Sequence, residues 1–398
     1  MKKMLIVYPN NFLQGMHGTN SRVYQLVSAF KQLGYNIDQF GYENFSKDSS
    51  FVGFDKTNSN RLISNLYLYD FIKGYNNLNT SDTVIRFTDR VKRKLRRSDA
   101  NSNTKYLQDW APDGACRLFN EIIEKNIYDV VVVFYTYLAN LLKNENIKAK
   151  KIYFMEDSMF LQQYSWDYKN NPSLTLGKLL DEELDRLKFF DEIFCISYDE
   201  KIMYEKFIGK EIHFLPHIQP ESIQKANTPL ETRKWDVMFL GFNNPFNVEG
   251  MNWFVKEVYP HLNPKLKLVF VGSATYELET THSNIDIIPF APDLDEIFDN
   301  TKVSICPMFR GTGMKIKVVE SMAKGIPIVC NERGIDGFPD KMRCGCFVTQ
   351  DPTEFAEYLN KLVTDQAFYK NAVSEINEYY GMLFNRSKYL KDLKDILC

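Results

Sequence analysis

Long apolar runs are missing from this chain: no stretch approaches the roughly 18 uncharged apolar residues that a membrane-crossing helix needs. Excess charge is missing too. Lys and Arg number 49 against 51 Asp and Glu, a net charge of -2 that excludes a globally basic nucleic-acid binder. Cysteine is sparse and irregular: seven residues, at 116, 195, 306, 330, 344, 346 and 398, include no CxxC pair and no nearby histidine to complete a zinc site. An odd number scattered this way reads as free thiols in a reducing cytoplasm, and only Cys344-Gly345-Cys346 hints at redox or metal chemistry. Low-complexity segments and short-period repeats are absent, and the apolar run after Met1, Lys2 and Lys3 is too short for a signal h-region. What is present is an ordinary globular composition, 44% hydrophobic, 25% charged and 14% aromatic. The length of 398 residues suits two or three domains.

Short apolar runs alternate with amphipathic helical patterns along most of the chain, the βαβ rhythm of parallel sheets covered on both faces. Strands are expected at 4–8, 36–41, 129–134, 151–155, 192–196 and 212–215. After the first, a glycine-bearing loop leads into a helix whose stripe is Val23, Leu26, Val27 and Phe30, with Gly34 placed to end it. Residues 216–234 carry Pro216, Pro220 and Pro229, lack periodicity and read as a linker. A second series of strands follows at 236–240, 266–271, 285–288, 303–306 and 326–330. The expected organisation is therefore a Rossmann-like half over 1–215, the linker, a second over 235–375, and a terminal helix over 376–398 crossing back to the first.

The most informative stretch begins at Cys306-Pro307, passes through Arg310-Gly311-Thr312-Gly313-Met314-Lys315-Ile316-Lys317 and reaches Glu320 and Lys324. A strand ends, glycines let backbone approach a ligand, and a helix expected to open near Gly313 offers free amides and the positive end of its dipole to an anion. Arg310, Lys315 and Lys317 add cations. Helical spacing puts Gly313, Lys317, Glu320 and Lys324 on one face, so a phosphate at the loop meets Lys317 first and sugar hydroxyls can reach Glu320. The plainer alternative is a common glycine turn with solvated basic residues. The loop lies deep in the second half, whereas the dinucleotide fingerprint belongs on a first strand-helix turn, which argues against a nicotinamide or flavin oxidoreductase.

These residues resemble the GT-B fold glycosyltransferases of the family 4 type. The similarity runs from Gly311 through Val329 and over Gly334-Ile335-Asp336-Gly337-Phe338, with Val237 to Phe242, Asn247, Phe254 and Ile288 to Leu294 in the family's rhythm. In the first half His17-Gly18-Thr19-Asn20-Ser21-Arg22 resembles the glycine loop facing the cleft. The resemblance implies an α/β fold of two Rossmann-like domains facing a central cleft, and a retaining transferase that uses a nucleotide-diphosphate sugar without cofactor or metal. It places the diphosphate on Gly311, Thr312, Gly313, Met314, Lys315 and Lys317, the ribose on Glu320, the base near Phe290 and Ala291, and Gly241, Gly18 and His17 along the donor's surroundings. Lys317 and Arg310 would neutralise the leaving diphosphate. The chain departs from the family where Thr312 stands in place of a frequent glutamate and where the cleft histidine is replaced by Glu156 and Asp157. That carboxylate pair could bind acceptor hydroxyls or steady positive charge on the sugar, or Asp157 could cap a helix.

Residues 84–97 pack seven cations, Arg86, Arg90, Lys92, Arg93, Lys94, Arg96 and Arg97, against the acid Asp89, with Val84, Phe87, Val91 and Leu95 at helical spacing. This reads either as a basic amphipathic helix on the inner face of an anionic membrane or as a Rossmann helix with a solvated face; nucleic acid is not expected. The expected activity is sugar transfer to a glycan or lipid-linked glycan acceptor in surface polysaccharide or glycoconjugate synthesis. A nucleotide-sugar epimerase and a non-catalytic sugar-nucleotide-binding scaffold are the rivals.

Overall fold

The computed structural model describes residues 2–14, 18–46, 50–58, 61–70, 74–77, 106–144, 146–167, 174–217, 226, 228–279 and 282–397. His17 and the basic segment 84–97 lie outside them. The chain divides into two compact units. One comprises Met1–Ile196, Glu200–Leu215 and the residues from Leu390 onward; the other comprises Ser197–Asp199 and Pro216–Tyr389.

The first unit holds strands β1 (Lys3–Val7), β2 (Asn36–Glu43), β3 (Asn65–Asp70), β4 (Gly74–Asn77), β5 (Val130–Val133), β6 (Lys150–Met155), β7 (Glu192–Cys195) and β8 (His213–Phe214). They form one sheet in the order β4-β3-β2-β1-β5-β6-β7-β8, parallel throughout except for the β3–β4 pair. Its helices are α1 (Thr19–Gln32), α2 (Phe54–Thr57), α3 (Asp113–Lys125), α4 (Met159–Asp167), α5 (Leu176–Leu187) and α6 (Tyr198–Ile208). The four valines of β5 are all buried, as a strand covered on both faces requires. Gly34, at φ +86°, closes α1 where the sequence places it, its amide donating to Lys31 O at 2.9 Å. Two strands of this unit escape the sequence pattern, β3 and β4, as does the strand Cys346–Val348 of the second unit: Asn65–Asp70 carries polar ends, Gly74–Asn77 lacks an aliphatic residue, and Cys346–Val348 has three residues.

The second unit holds β9 (Trp235–Leu240), β10 (Leu268–Val271), β11 (Ile285–Ile288), β12 (Thr301–Cys306), β13 (Ile328–Cys330) and β14 (Cys346–Val348). The all-parallel order is β11-β10-β9-β12-β13-β14. Counted within the unit this is 3-2-1-4-5-6, the doubly wound Rossmann order. Helices α7 (Pro245–Trp253), α8 (Leu294–Asp299), α9 (Ile316–Ala323), α10 (Pro352–Thr364) and α11 (Gln366–Leu383) belong to it. Val237, Phe239, Phe254, Phe270, Ile305 and Phe355 form the heart of its main core. At Gly250 the helix α7 approaches the end of β12 so closely that a Cβ would lie 1.8 Å from Pro307 O.

Three expectations are corrected. The terminal helix expected over 376–398 is two helices, α11 and α12 (Arg386–Leu397), broken at Phe384 and Asn385. Only the residues from Leu390 join the first unit, where Ile396 O accepts from Lys150 Nζ at 2.6 Å. The second unit also begins before 235, because Arg233 Nη1 donates to Thr301 O at 2.8 Å and anchors the end of the expected linker to β12. Among the described residues no helix is long and apolar enough to cross a membrane.

Candidate functional site

A doubly wound sheet opens a crevice where the strand order reverses, outside the C-terminal ends of its two central strands. In the second unit that point lies between β9 and β12. The chain leaves β9 into Gly241, where a Cβ would lie 2.8 Å from the Phe239 ring. It then enters α7 through a side-chain cap: Asn244 Oδ1 accepts from the amides of Phe246 at 3.0 Å and Asn247 at 2.9 Å. Leaving β12, it runs through Gly311 and Gly313, whose φ values of +110° and +69° are open to glycine at little cost.

The Gly313 conformation is not helical, so α9 opens at Ile316 with Lys315 as its cap, later than the sequence pattern suggests. The buried Lys315 folds back on the loop, and its ammonium donates to Thr312 O at 3.0 Å and Gly313 O at 2.9 Å. Among the described residues no backbone acceptor meets the opening amides of Ile316 and Lys317. These amides and the Lys317 ammonium carry positive character at the crevice end of α9.

The three cations of the motif have separate roles. Arg310 is held on the surface by a bidentate pair with Glu249 of α7, at 3.0 and 2.8 Å, with its side chain 59% exposed. The planar fork of the guanidinium matches this carboxylate. Lys315 braces the loop. Lys317 donates to Asn247 Oδ1 at 2.6 Å, lies 5.4 Å from the centre of the Phe239 ring and makes no ion pair among the described residues. Burial lowers its pKa from the ordinary lysine value, with Cys306 and Glu320 opposing that and Lys315 adding to it. Glu320, half-buried one turn along α9, is pushed up to about 7 by burial, with Lys317 opposing and Asp295 adding. Lys324 leaves the expected face because its ammonium pairs with Asp295 of α8 at 2.8 Å.

The crevice end therefore brings together Gly241, Gly311, Thr312, Gly313, Met314, Lys315, Lys317 and Glu320. Phe290 and Ala291 follow β11, two strands out, with Phe290 72% exposed and Ala291 half-buried. Reading the sequence passed over the roles of Asn244, Asn247 and Glu249. The cap was detectable, since an asparagine followed by proline and an apolar helix is a helix start. The two long-range pairs were not.

In the first unit Gly18 precedes α1 at φ +51°, and its carbonyl accepts from Arg22 N at 3.3 Å. Arg22, 1% exposed, approaches Glu156 at 3.5 Å and donates to Leu215 O at 2.6 Å. Burial pushes Glu156 up to about 7, Arg22 opposing and Asp157 adding. Asp157 accepts from Gln162 at 3.5 Å. The opening amides of α4 turn instead to Glu183 of α5, which accepts from Met159 N at 3.3 Å and Phe160 N at 2.9 Å. Arg22 and Glu183 were likewise beyond sequence reading.

Residues 234–365 match the family model described as Glycosyl transferases group 1. An uncharacterized 44.6 kDa protein in the cps region of Klebsiella pneumoniae is 25% identical, over 64% of this chain and 71% of its own. Among solved structures, Anabaena HepE in complex with UDP and glucose superposes with a TM-score of 0.66 at 10% identity, covering 100% of this chain and 99% of its own. Sucrose-phosphate synthase from Thermosynechococcus elongatus does so at 0.66 and 12%, covering 100% and 98%. A TarM variant from S. aureus, complexed with Fondaparinux, alpha-GlcNAc-glycerol and UDP, gives 0.64 at 10% and covers 100% of both chains. The chain thus has the GT-B fold, and residues 234–365 carry the group 1 glycosyl transferase signature.

Proposed function

We propose that this GT-B glycosyltransferase is a retaining, metal-independent enzyme that moves a sugar from a nucleoside diphosphate donor to a hydroxyl of a glycan or lipid-linked glycan. The observation that carries the reading is the Lys317 ammonium, held by a neutral amide beside the glycine loop and the opening amides of α9. As the bond from the anomeric carbon to the diphosphate breaks, negative charge grows on the departing phosphate, and preorganised positive groups act best on charge that develops in the transition state. Glu320 would accept from ribose hydroxyls, and the base would lie near Phe290 and Ala291. The acceptor hydroxyl would add from the face the diphosphate leaves, because no nucleophile for a double displacement is assigned in the site. Glu156 and Asp157 would serve the acceptor.

HepE with UDP and glucose and TarM with UDP support the donor class, and the cps-region relative supports a role in surface polysaccharide synthesis. A cytoplasmic location, with the basic segment at 86–97 docking the enzyme on the inner membrane face, completes the reading.

The test is Lys317→Ala. Transfer should be abolished, and calorimetry should show nucleoside diphosphate binding weakened by roughly 1.5–3 kcal/mol, the range for a charged hydrogen bond. Unchanged binding and transfer would remove the site. Acceptor-free hydrolysis of a sugar nucleotide would exclude a scaffold, and a changed sugar still joined to its nucleotide would favour an epimerase.

A further inference from the structure

We propose that Asn247 is a positioning residue: it fixes the Lys317 ammonium at the crevice end of β9 and β12 with a neutral oxygen, leaving the lysine without an ion-pair partner among the described residues until an anion arrives. The proposal rests on the reading that Lys317 meets the donor's diphosphate.

The amide's orientation follows from its partners. Asn247 is 5% exposed, its Nδ2 donates to Phe242 O at 2.9 Å and its Oδ1 accepts from Lys317 Nζ at 2.6 Å. A flip would set its NH2 against the ammonium and its oxygen against a carbonyl, losing both bonds. The backbone is held as well, since Asn247 N donates to Asn244 Oδ1 at 2.9 Å. Gly241 allows the close approach, because a Cβ there would lie 3.2 Å from Asn247 Cβ.

The chemistry of the oxygen matters as much as its place. Lysine carries a flexible four-carbon stem whose freedom must be lost before it can act on one phosphate oxygen. A carboxylate at 247 would fix the stem and also satisfy the charge, in competition with a phosphate. An apolar residue would leave a desolvated ammonium unheld. Asparagine alone among these removes the motion and keeps the charge. The titratable groups facing Lys317 are Cys306 at the end of β12, Lys315 at the cap and Glu320 on α9, with the Phe239 ring beside it on β9.

The test titrates the full chain and its Asn247→Ala and Asn247→Asp variants with UDP, GDP and ADP by calorimetry between about pH 6 and pH 10, using the diphosphate that binds the unaltered chain best. Asn247→Ala should weaken binding about tenfold, the loss of one hydrogen bond to a charged group. It should also move the alkaline loss of binding to lower pH, because an acceptor favouring the charged ammonium is gone. Asn247→Asp, nearly the same shape, should weaken binding at pH 7 yet move the alkaline loss to higher pH. Those opposite displacements are not what a merely structural residue produces, and the Asp variant decides the matter if the Ala variant does not fold. Variants that bind as the unaltered chain does, or an alkaline limb that neither moves, would overturn the role of Asn247 and leave the diphosphate reading standing. An unaltered chain that binds none of the three nucleotides would overturn both.

Discussion

Glu183 and Arg186 in the first unit and Lys317 in the second are partnered in opposite ways. In the first, Glu183 is fully buried and accepts from four groups: Thr136 Oγ1 at 3.1 Å, Met159 N at 3.3 Å, Phe160 N at 2.9 Å and Tyr204 OH at 2.9 Å. Three residues along α5, Arg186 donates to the carbonyls of Leu107, Gln108 and Thr136. These networks are closed: every strong donor already faces a strong acceptor, and a ligand would gain little by entering. In the second unit the hydrogen-bond acceptor of the Lys317 ammonium among the described residues is a neutral amide oxygen, and no carboxylate pairs with it there. The opening amides of α9 beside it lack a backbone acceptor among the described residues. A satisfied network stabilises a fold, whereas a partly satisfied one at a crevice binds the complementary charge.

The sharpest way to break this contrast is Glu183→Ala. It strips the acceptor from two backbone amides and two hydroxyls in a dry interior, so stability should fall by roughly 3–5 kcal/mol, the cost of breaking a buried charged network. The denaturation midpoint reads this, and nucleoside diphosphate binding by the chain that remains folded should not change. A loss below about 1 kcal/mol would mean that water reaches these donors, and the first unit's network would then be no more closed than the second's.

The contrast also explains what the sequence made legible. The proposed site in the second unit combines glycines at positive φ with a lysine in the first turn of a helix and a glutamate one turn on, all within residues 311–320, so the signal is local and dense. Most of the parallel strands were legible for the same reason, as short apolar runs such as the valines of β5, whereas β3 with its polar ends and the three-residue β14 were not. The first unit's polar pairs join residues far apart: Arg22 meets Glu156 and Leu215, and Glu183 meets Thr136. No local pattern announces such a partner. The same limit hid Asn247 and Glu249, although each partners a residue inside the motif itself.

A smaller effect should separate the carboxylates. Glu320 is pushed up to about 7 from its ordinary 4.5, so the folded chain retains a proton that the unfolded chain releases earlier. Between those values the folded state binds more protons, and stability must fall as pH rises. Glu320→Gln should remove that share of the slope, gaining on the unaltered chain from pH 4.5 upward and levelling above pH 7, by no more than roughly 3 kcal/mol. Glu156, raised to a similar value beside Arg22, would keep its own share in that variant. Melting curves at pH 5 and pH 8 measure it, and a variant with an unaltered slope would show Glu320 to be solvated.

The smallest expected effect falls on the residue the motif made most conspicuous. Arg310 sits between Phe309, whose ring packs edge-on against Trp253 at 4.9 Å, and Gly311, next to the loop that Lys317 serves. Two of its three guanidinium nitrogens, Nε and Nη2, nevertheless donate to Glu249, and both side chains reach solvent. An exposed pair of this kind contributes roughly 0–1 kcal/mol, because water and salt screen it. Arg310→Ala should therefore shift the melting temperature little and weaken nucleoside diphosphate binding less than about threefold, with Glu249→Ala behaving alike. If a bound diphosphate instead draws Arg310 away from Glu249, the two variants must diverge. Arg310→Ala would then lose affinity on the scale of Lys317→Ala, while Glu249→Ala would gain it by releasing the guanidinium. Titrating both variants with the same nucleotide decides whether the open charge of the second unit resides in one lysine or is shared with a neighbour that the unliganded fold keeps paired.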